Sequence, residues 1–240
     1  MVVTRPADQS AGLVAGLRRL GARAIVAPAI EIVPARSAAL TSALHELESG
    51  AFSWMTLTSR ATVDMLTARL PGPSAIGGTK VAAIGDGTAA AFRRWAHRPP
   101  DLVPATFTTA GLARAFPRGS GRVLCPRADI APEGLEDALT ARGWSPTRVD
   151  AYRTRMPATL PAEARRALRS GVVDAVTFTS ASTVRGFVGA LGPVKGSPRV
   201  VCIGPVTAAE ARGHGLTVHA VARPHTIDGV VDAVVRVLTR

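Results

Sequence analysis

The feature that most constrains this 240-residue chain is that it repeats itself. Trp54-Met55-Thr56-Leu57-Thr58-Ser59-Arg60-Ala61-Thr62-Val63 is matched by Ala175-Val176-Thr177-Phe178-Thr179-Ser180-Ala181-Ser182-Thr183-Val184 at an offset of 121. The run Lys80-Val81-Ala82-Ala83-Ile84-Gly85-Asp86-Gly87-Thr88-Ala89 is matched by Arg199-Val200-Val201-Cys202-Ile203-Gly204-Pro205-Val206-Thr207-Ala208 at an offset of 119. Thr108-Thr109-Ala110-Gly111-Leu112 returns as Thr226-Ile227-Asp228-Gly229-Val230 at 118, and Gly21 and Gly143, each after a helical stretch, are 122 apart. Anchors at a nearly constant offset point to one unit built twice. The length suits two domains of roughly 120 residues.

Within each copy, short β-branched runs alternate with Ala/Leu/Arg-rich stretches. Strands are predicted at 1–4, 24–27, 54–57, 80–84, 122–125, 148–152, 175–178, 199–203 and 216–220. Helices are predicted at 8–20, 38–48, 61–69, 88–95, 109–116, 131–141, 161–169, 183–191, 207–213 and 227–238. Nearly continuous apolar strands separated by single helices predict an α/β fold with parallel sheets covered on both faces.

Composition narrows the function classes. Apolar residues make up 47% of the chain, enough for a real core and too many for a disordered one. Two cysteines, Cys125 and Cys202, do not make a disulfide scaffold, and a reducing cytoplasm is expected. No leader-like or membrane-spanning segment is expected. The net charge is +12, and all 29 basic residues except Lys80 and Lys195 are arginine. That bias fits a GC-rich genome and a solvated surface as well as a field for an anionic partner. Nucleic acid is the least supported partner, because aromatic residues are only 4% of the chain and no Trp lies in an arginine cluster.

Both copies place Thr-Ser, and then Gly-x-x-Thr, where a strand gives way to a helix. In open α/β sheets that edge binds ligands, and helix N-termini favour anions. Ser and Thr there are also ordinary helix caps and Gly an ordinary tight turn. Four such turns on equivalent edges of two modules that face each other across a cleft favour a binding role. Gly85-Asp86-Gly87-Thr88-Ala89-Ala90 fits a relaxed dinucleotide pattern but lacks an acidic residue ending the next strand, and Gly77-Gly78-Thr79-Lys80 only scrambles a phosphate loop. His214 and His219 have no ligand partners at metal spacing, both cysteines sit in apolar strand contexts, and no nucleophile elbow occurs. What remains is a template-like site of hydroxyls, backbone amides and arginines around a polyanion.

In order and spacing these motifs resemble the uroporphyrinogen-III synthase family over almost the whole chain. The resemblance rests on Val3-Thr4-Arg5-Pro6, Thr58-Ser59, Ile84-Gly85-Asp86-Gly87-Thr88-Ala89, Ala151-Tyr152-Arg153-Thr154, Phe178-Thr179-Ser180, Ile203-Gly204-Pro205-Val206-Thr207-Ala208 and Pro224-His225-Thr226. It implies two flavodoxin-like parallel-sheet domains joined by a two-stranded hinge, with the ligand cleft between them. Residues 1–33 plus 156–240 would form one domain and 36–153 the other, with hinge segments near 34–36 and 153–157. The family dehydrates hydroxymethylbilane, a linear tetrapyrrole with eight carboxylates, and closes it with ring D inverted to uroporphyrinogen III. It uses no metal or cofactor; its task is to hold a reactive chain in one shape. The implied setting is a cytoplasmic monomer, with substrate handed over by hydroxymethylbilane synthase and no nucleic acid or membrane partner.

By the same resemblance, Tyr152 matches the tyrosine that assists loss of the hydroxyl; the alternative is a half-buried tyrosine at a strand end. Thr88 and Thr207, with Gly85 and Gly204, match cleft-facing turns that can hold carboxylates, and Ser59 and Ser180 are the equivalent Thr-Ser positions. Arg5 and Arg127 follow the first strands of the two modules and can pair with acetate or propionate groups, or be surface arginines. Asp86 departs from this pattern by bringing a negative charge to a polyanion site. The alternative function is a non-catalytic two-domain module that binds an anionic ligand.

Overall fold

The computed structural model describes residues 1–239, which form two compact units: Met1–Glu31 with Arg155 onward, and Ile32–Thr154. The chain opens with β1 (Val2–Val3), α1 (Ala11–Arg19) and β2 (Ile25–Val26). It passes through β3 (Glu31–Pro34), α2 (Ala38–Glu48), β4 (Trp54–Leu57), α3 (Arg60–Thr67), β5 (Lys80–Ala83) and α4 (Asp86–Ala96). Then come α5 (Thr109–Ala115), β6 (Arg122–Ala128), α6 (Leu135–Thr140) and β7 (Ser145–Arg155). The remainder is α7 (Ala162–Ser170), β8 (Ala175–Phe178), α8 (Ala181–Ala190), β9 (Arg199–Cys202), α9 (Pro205–Gly213), β10 (Val218–Val221) and α10 (Ile227–Leu238).

The first unit's sheet runs β10-β9-β8-β1-β2, with every neighbouring pair parallel. Counted along the unit and read from β2, that is the order 2-1-3-4-5 of flavodoxin-like folds. The second sheet runs β3-β7-β6-β4-β5, and β4-β5, β4-β6 and β6-β7 are parallel. Leu102 adds a parallel bridge to Ala82 beyond β5. Counting from β6, the second unit has the same order, with β3 as an extra edge. The repeat is therefore circularly permuted. The β6–β7 pair ends the second unit, whereas its counterpart, β1–β2, begins the chain.

Both faces of each sheet are covered, so successive strand residues enter different cores. Val2 joins Val176, Phe178, Val184 and Leu168 on one face, and Val3 joins Leu13, Leu17, Val201 and Val230 on the other. In the second unit Met55, Leu57 and Val81 pack under α2 to α4, while Trp54, Ala82 and Val123 pack under α5 and α6. Phe116 there sits 4.9 Å from the Trp54 ring and 5.9 Å from Trp144. Cys125 and Cys202 are fully buried in these cores, and burial pushes their thiols up to about 12 and about 11, which makes them packing residues rather than nucleophiles.

The repeated glycines have a steric reason. Thr108 and Thr226 cap α5 and α10 by accepting the N–H of Gly111 and Gly229. A Cβ on either glycine would collide with the carbonyl oxygen of Thr106 or Pro224. The two capped turns are thus the same object, and only Gly fits it.

Most elements shift by a few residues at their ends from the sequence expectation, and β3, α6 and β7 differ for physical reasons. β3 is not foreseen because it is short, ends in Pro34 and has exposed ends around two half-buried residues, with neither a long apolar run nor a period-2 pattern. α6 starts at Leu135 rather than 131, because Pro132 and a left-handed Gly134 (φ 103°) precede it. β7 extends from Ser145 to Arg155 because it is paired on both sides, by β6 and by β3.

α8 lies against the backbone that follows β2, and Gly186 makes this possible: a Cβ there would strike the Ala29 carbonyl. Gly186→Ala is expected to cost about 3 kcal/mol, the upper end of overpacking effects, read by urea unfolding. A loss below about 0.5 kcal/mol would show that this contact yields freely.

Candidate functional site

Parallel pairing brings the C-terminal ends of β1, β2, β8, β9 and β10 to one edge of the first unit, and those of β4, β5, β6 and β7 to one edge of the second, and the singled-out residues sit there. After β4 and β8, Ser59 and Ser180 are the N-caps of α3 and α8 and accept the N–H of Thr62 (3.0 Å) and Thr183 (3.2 Å). After β5 and β9, the N-caps of α4 and α9 are Gly85 and Gly204, both in extended backbone. Having no side chain, they leave the first-turn N–H groups of these helices without a side-chain cap, open to an outside acceptor. Thr88 and Thr207 are the third residues of these helices, only 6% and 4% exposed. Neither hydroxyl has a hydrogen-bond partner among the described residues. Asp86 and Pro205 begin the two helices and are exposed; a carboxylate at a helix N-terminus is favourable in its own right.

The second unit adds a phenol. Tyr152, on β7, is 7% exposed, with its ring against Ala61 and Ala151. Its hydroxyl lies 3.0 Å from Ser59 Oγ, a contact between residues 93 apart in sequence. Ser59 Oγ is in turn 2.9 Å from Thr62 Oγ1, and Thr62 is fully buried. Burial pushes the Tyr152 phenol above its ordinary 10, while the Ser59 and Thr62 hydrogen bonds oppose the shift. At neutral pH it is a protonated acid with a partner ready to stabilise its anion.

The arginines behave differently from one another. Arg5 follows β1 and donates its Nε–H to the Gln9 carbonyl (3.1 Å). Arg127, near the end of β6, is 1% exposed, and its Nη1 meets both carboxylate oxygens of Glu136 at 3.0 and 2.9 Å. Its charge is matched within the unit, although its buried Nε–H has no partner among the described residues. No three His, Cys, Asp or Glu side chains that could hold a metal ion converge among the described residues.

The family model described as uroporphyrinogen-III synthase HemD matches residues 11–232. The chain belongs to the uroporphyrinogen-III synthase family. It is 30% identical to the "Uroporphyrinogen-III synthase" of Synechococcus elongatus, over 98% of this chain and 93% of that protein. It is also 30% identical to the "Porphyrin biosynthesis protein HemD" of Ruminiclostridium josui, over 99% of this chain but 48% of that protein, so it spans about half the length of that relative. Two solved synthases have the same fold. One from Thermus thermophilus aligns with a TM-score of 0.69 at 21% identity, over 99% of this chain and 98% of that one. One from Helicobacter pylori aligns with a TM-score of 0.63 at 16% identity, over 98% of this chain and 97% of that one.

Two residues at these strand edges were not singled out as site residues from the sequence, although His225 belongs to one of the motifs that carry the resemblance. Thr62 looked like part of a helix start; only its distance to Ser59 gives it a role. His225 flanks Gly204, with its ring Cγ 3.8 Å from where a Cβ would stand, and its Nδ1 is 2.7 Å from the Ala222 carbonyl. In the second unit Phe107 takes that place beside Gly85. The repeat itself carried the signal, since each precedes the threonine that caps α5 or α10.

Two measurements check this geometry. Glu136→Ala strands the Arg127 cation and is expected to cost about 3–5 kcal/mol by urea unfolding; a cost under 1 kcal/mol would mean Arg127 finds another partner. Tyr152 is the chain's single tyrosine, so tyrosinate absorbance reads it alone, and its midpoint is expected above 10. The folded value lies above the unfolded one. Tyr152 therefore contributes stability below pH 10 that is lost as pH rises through the folded value.

Proposed function

We propose that the chain is a uroporphyrinogen-III synthase. It takes hydroxymethylbilane, removes the terminal hydroxyl as water, and closes the macrocycle with ring D inverted. The family match over residues 11–232 carries this reading.

In this reading Tyr152 is the general acid. Its phenol gives a proton to the departing hydroxyl, and the Ser59 hydroxyl, 3.0 Å away, steadies the phenolate that remains. The substrate's carboxylates are held by donors at the strand C-terminal edges. These are the uncapped first turns of α4 and α9 at Gly85 and Gly204, the hydroxyls of Thr88 and Thr207, the Ser180 turn, and Arg5. Arg127, already matched by Glu136, supports the edge from beneath. Holding many carboxylates at once fixes the chain's shape, which is what inversion demands, because the unheld substrate closes to the symmetric type I isomer. The setting proposed is the cytoplasm, with the protein acting as a monomer on substrate handed over by hydroxymethylbilane synthase.

The test is the isomer ratio. With hydroxymethylbilane made in situ, adding the protein is expected to turn the product from type I to type III; a ratio equal to the spontaneous one rejects the proposal. Tyr152→Phe is expected to lower kcat about 100-fold with stability within about 1 kcal/mol of the parent. An unchanged kcat removes Tyr152 from the mechanism and leaves the synthase assignment standing.

A further inference from the structure

We propose that Thr62 is a positioning residue for the acid: through Ser59 it turns the Tyr152 proton outward, toward the leaving hydroxyl. The proposal rests on the reading of Tyr152 given above, and its argument is a count of lone pairs. A serine hydroxyl has one hydrogen to donate and two lone pairs to accept with. Ser59 Oγ already accepts the Thr62 backbone N–H at 3.0 Å. One lone pair remains, and two hydroxyls compete for it: Thr62 Oγ1 at 2.9 Å and Tyr152 Oη at 3.0 Å.

Only two orientations satisfy the chain. In the first, Tyr152 donates to Ser59 and Ser59 donates to Thr62. The Thr62 hydrogen, inside a fully buried side chain, is then left with no acceptor but the Tyr152 oxygen, a weaker contact than either one made through Ser59. In the second, Thr62 donates to Ser59 and Ser59 donates to Tyr152. Both interior hydrogens are then paired, and the one left over belongs to Tyr152, at the edge where substrate is expected. A poorly paired buried hydroxyl is costly, so the second orientation prevails. Thr62 thus fills both lone pairs of Ser59, by N–H and by O–H, and denies them to the phenol.

The first unit provides an internal comparison. Ser180 and Thr183 repeat Ser59 and Thr62 at the same offset. There the threonine hydroxyl donates to its own turn's backbone, the Ser180 carbonyl at 2.7 Å, and accepts the Ser180 N–H at 3.3 Å in a reciprocal capping box. Ser180 Oγ lies closest to Ser182 Oγ, at 2.9 Å, and only 3.4 Å from Thr183 Oγ1. Where no phenol is present the threonine closes the cap; beside Tyr152 it faces the serine oxygen.

The proton balance closes. The Tyr152 O–H proton goes to the substrate's hydroxyl oxygen as that C–O bond breaks, and water leaves. The O–H electron pair stays on the phenolate, which accepts the Ser59 hydrogen, itself polarised by Thr62. The proton released from the pyrrole carbon at ring closure returns to Tyr152.

Thr62→Val keeps the shape and the backbone N–H and removes the hydroxyl. It reopens a lone pair on Ser59, and the phenol can then donate inward. Expected are a roughly 10-fold fall in kcat with KM changed less than about twofold, recovery to within about twofold in Thr62→Ser, and a Thr62→Val/Tyr152→Phe double variant no slower than Tyr152→Phe. The tyrosinate midpoint should rise in Thr62→Val and return in Thr62→Ser, because the anion loses a polarised donor. If Tyr152→Phe is slow but Thr62→Val keeps the parent's kcat and midpoint, the relay is wrong. It is equally wrong if the Thr62→Val loss adds in full to that of Tyr152→Phe, or if Thr62→Ser fails to restore kcat. If Tyr152→Phe itself keeps the parent's kcat, the catalytic reading of Tyr152 falls, while the midpoint shift still decides whether Thr62 orients the phenol.

Discussion

The first unit hangs on a two-residue strand. Val2 and Val3 pair with β2 on one side and with β8, more than 170 residues away, on the other. Both are fully buried, and each supplies a different face of the sheet. Hydroxyls reinforce the register: Thr4 donates to the Thr177 carbonyl at 2.8 Å and Thr177 to that of Val2 at 3.4 Å. Because this pairing is parallel, Arg5 emerges at the same edge as Ser180 and Gly204. The layout of the site follows from the strand order, since every loop that carries a chemical group leaves from a C-terminal strand end.

Duplication then supplies matched pieces that have diverged in use. The turns at Ser59 and Ser180, at Gly85 and Gly204, and at Thr88 and Thr207 keep one backbone plan. The asymmetry comes from what stands beside them. At the offset of 122 that relates β6–β7 to β1–β2, the position of Tyr152 is held by Ile30, which is buried and apolar. Only the second unit joins a phenol to its serine cap, so the acid proposed for the reaction has no counterpart phenol in the first.

Much of this was legible in the chain. Strands β4 and β8 and helices α2 and α10 have the bounds that apolar runs and caps predict, because both sheet faces are buried and their strands are continuously apolar. β3 was not legible, being held by its neighbour rather than by its own pattern. Arg127 read as a candidate partner for the substrate's carboxylates or else a surface arginine, yet it is buried and paired with Glu136, nine residues on. Nothing in the spacing announces that pairing, since α6 must first fold back over the end of β6.

The sequence alone determined that the protein is two α/β copies with hydroxyl-bearing and glycine turns at strand ends, because local periodicity, caps and tight-turn sterics act over a few residues. The +12 charge suggested an anionic partner without locating one. Tertiary structure alone decided which hydroxyls meet. Tyr152 reaches Ser59 across 93 residues because β4, β6 and β7 lie side by side in a parallel sheet, and Thr62 reaches the same oxygen because Ser59 caps its helix. Hydrogen bonds depend on distances of a few ångströms between groups that chain order leaves far apart, and only packing sets those distances.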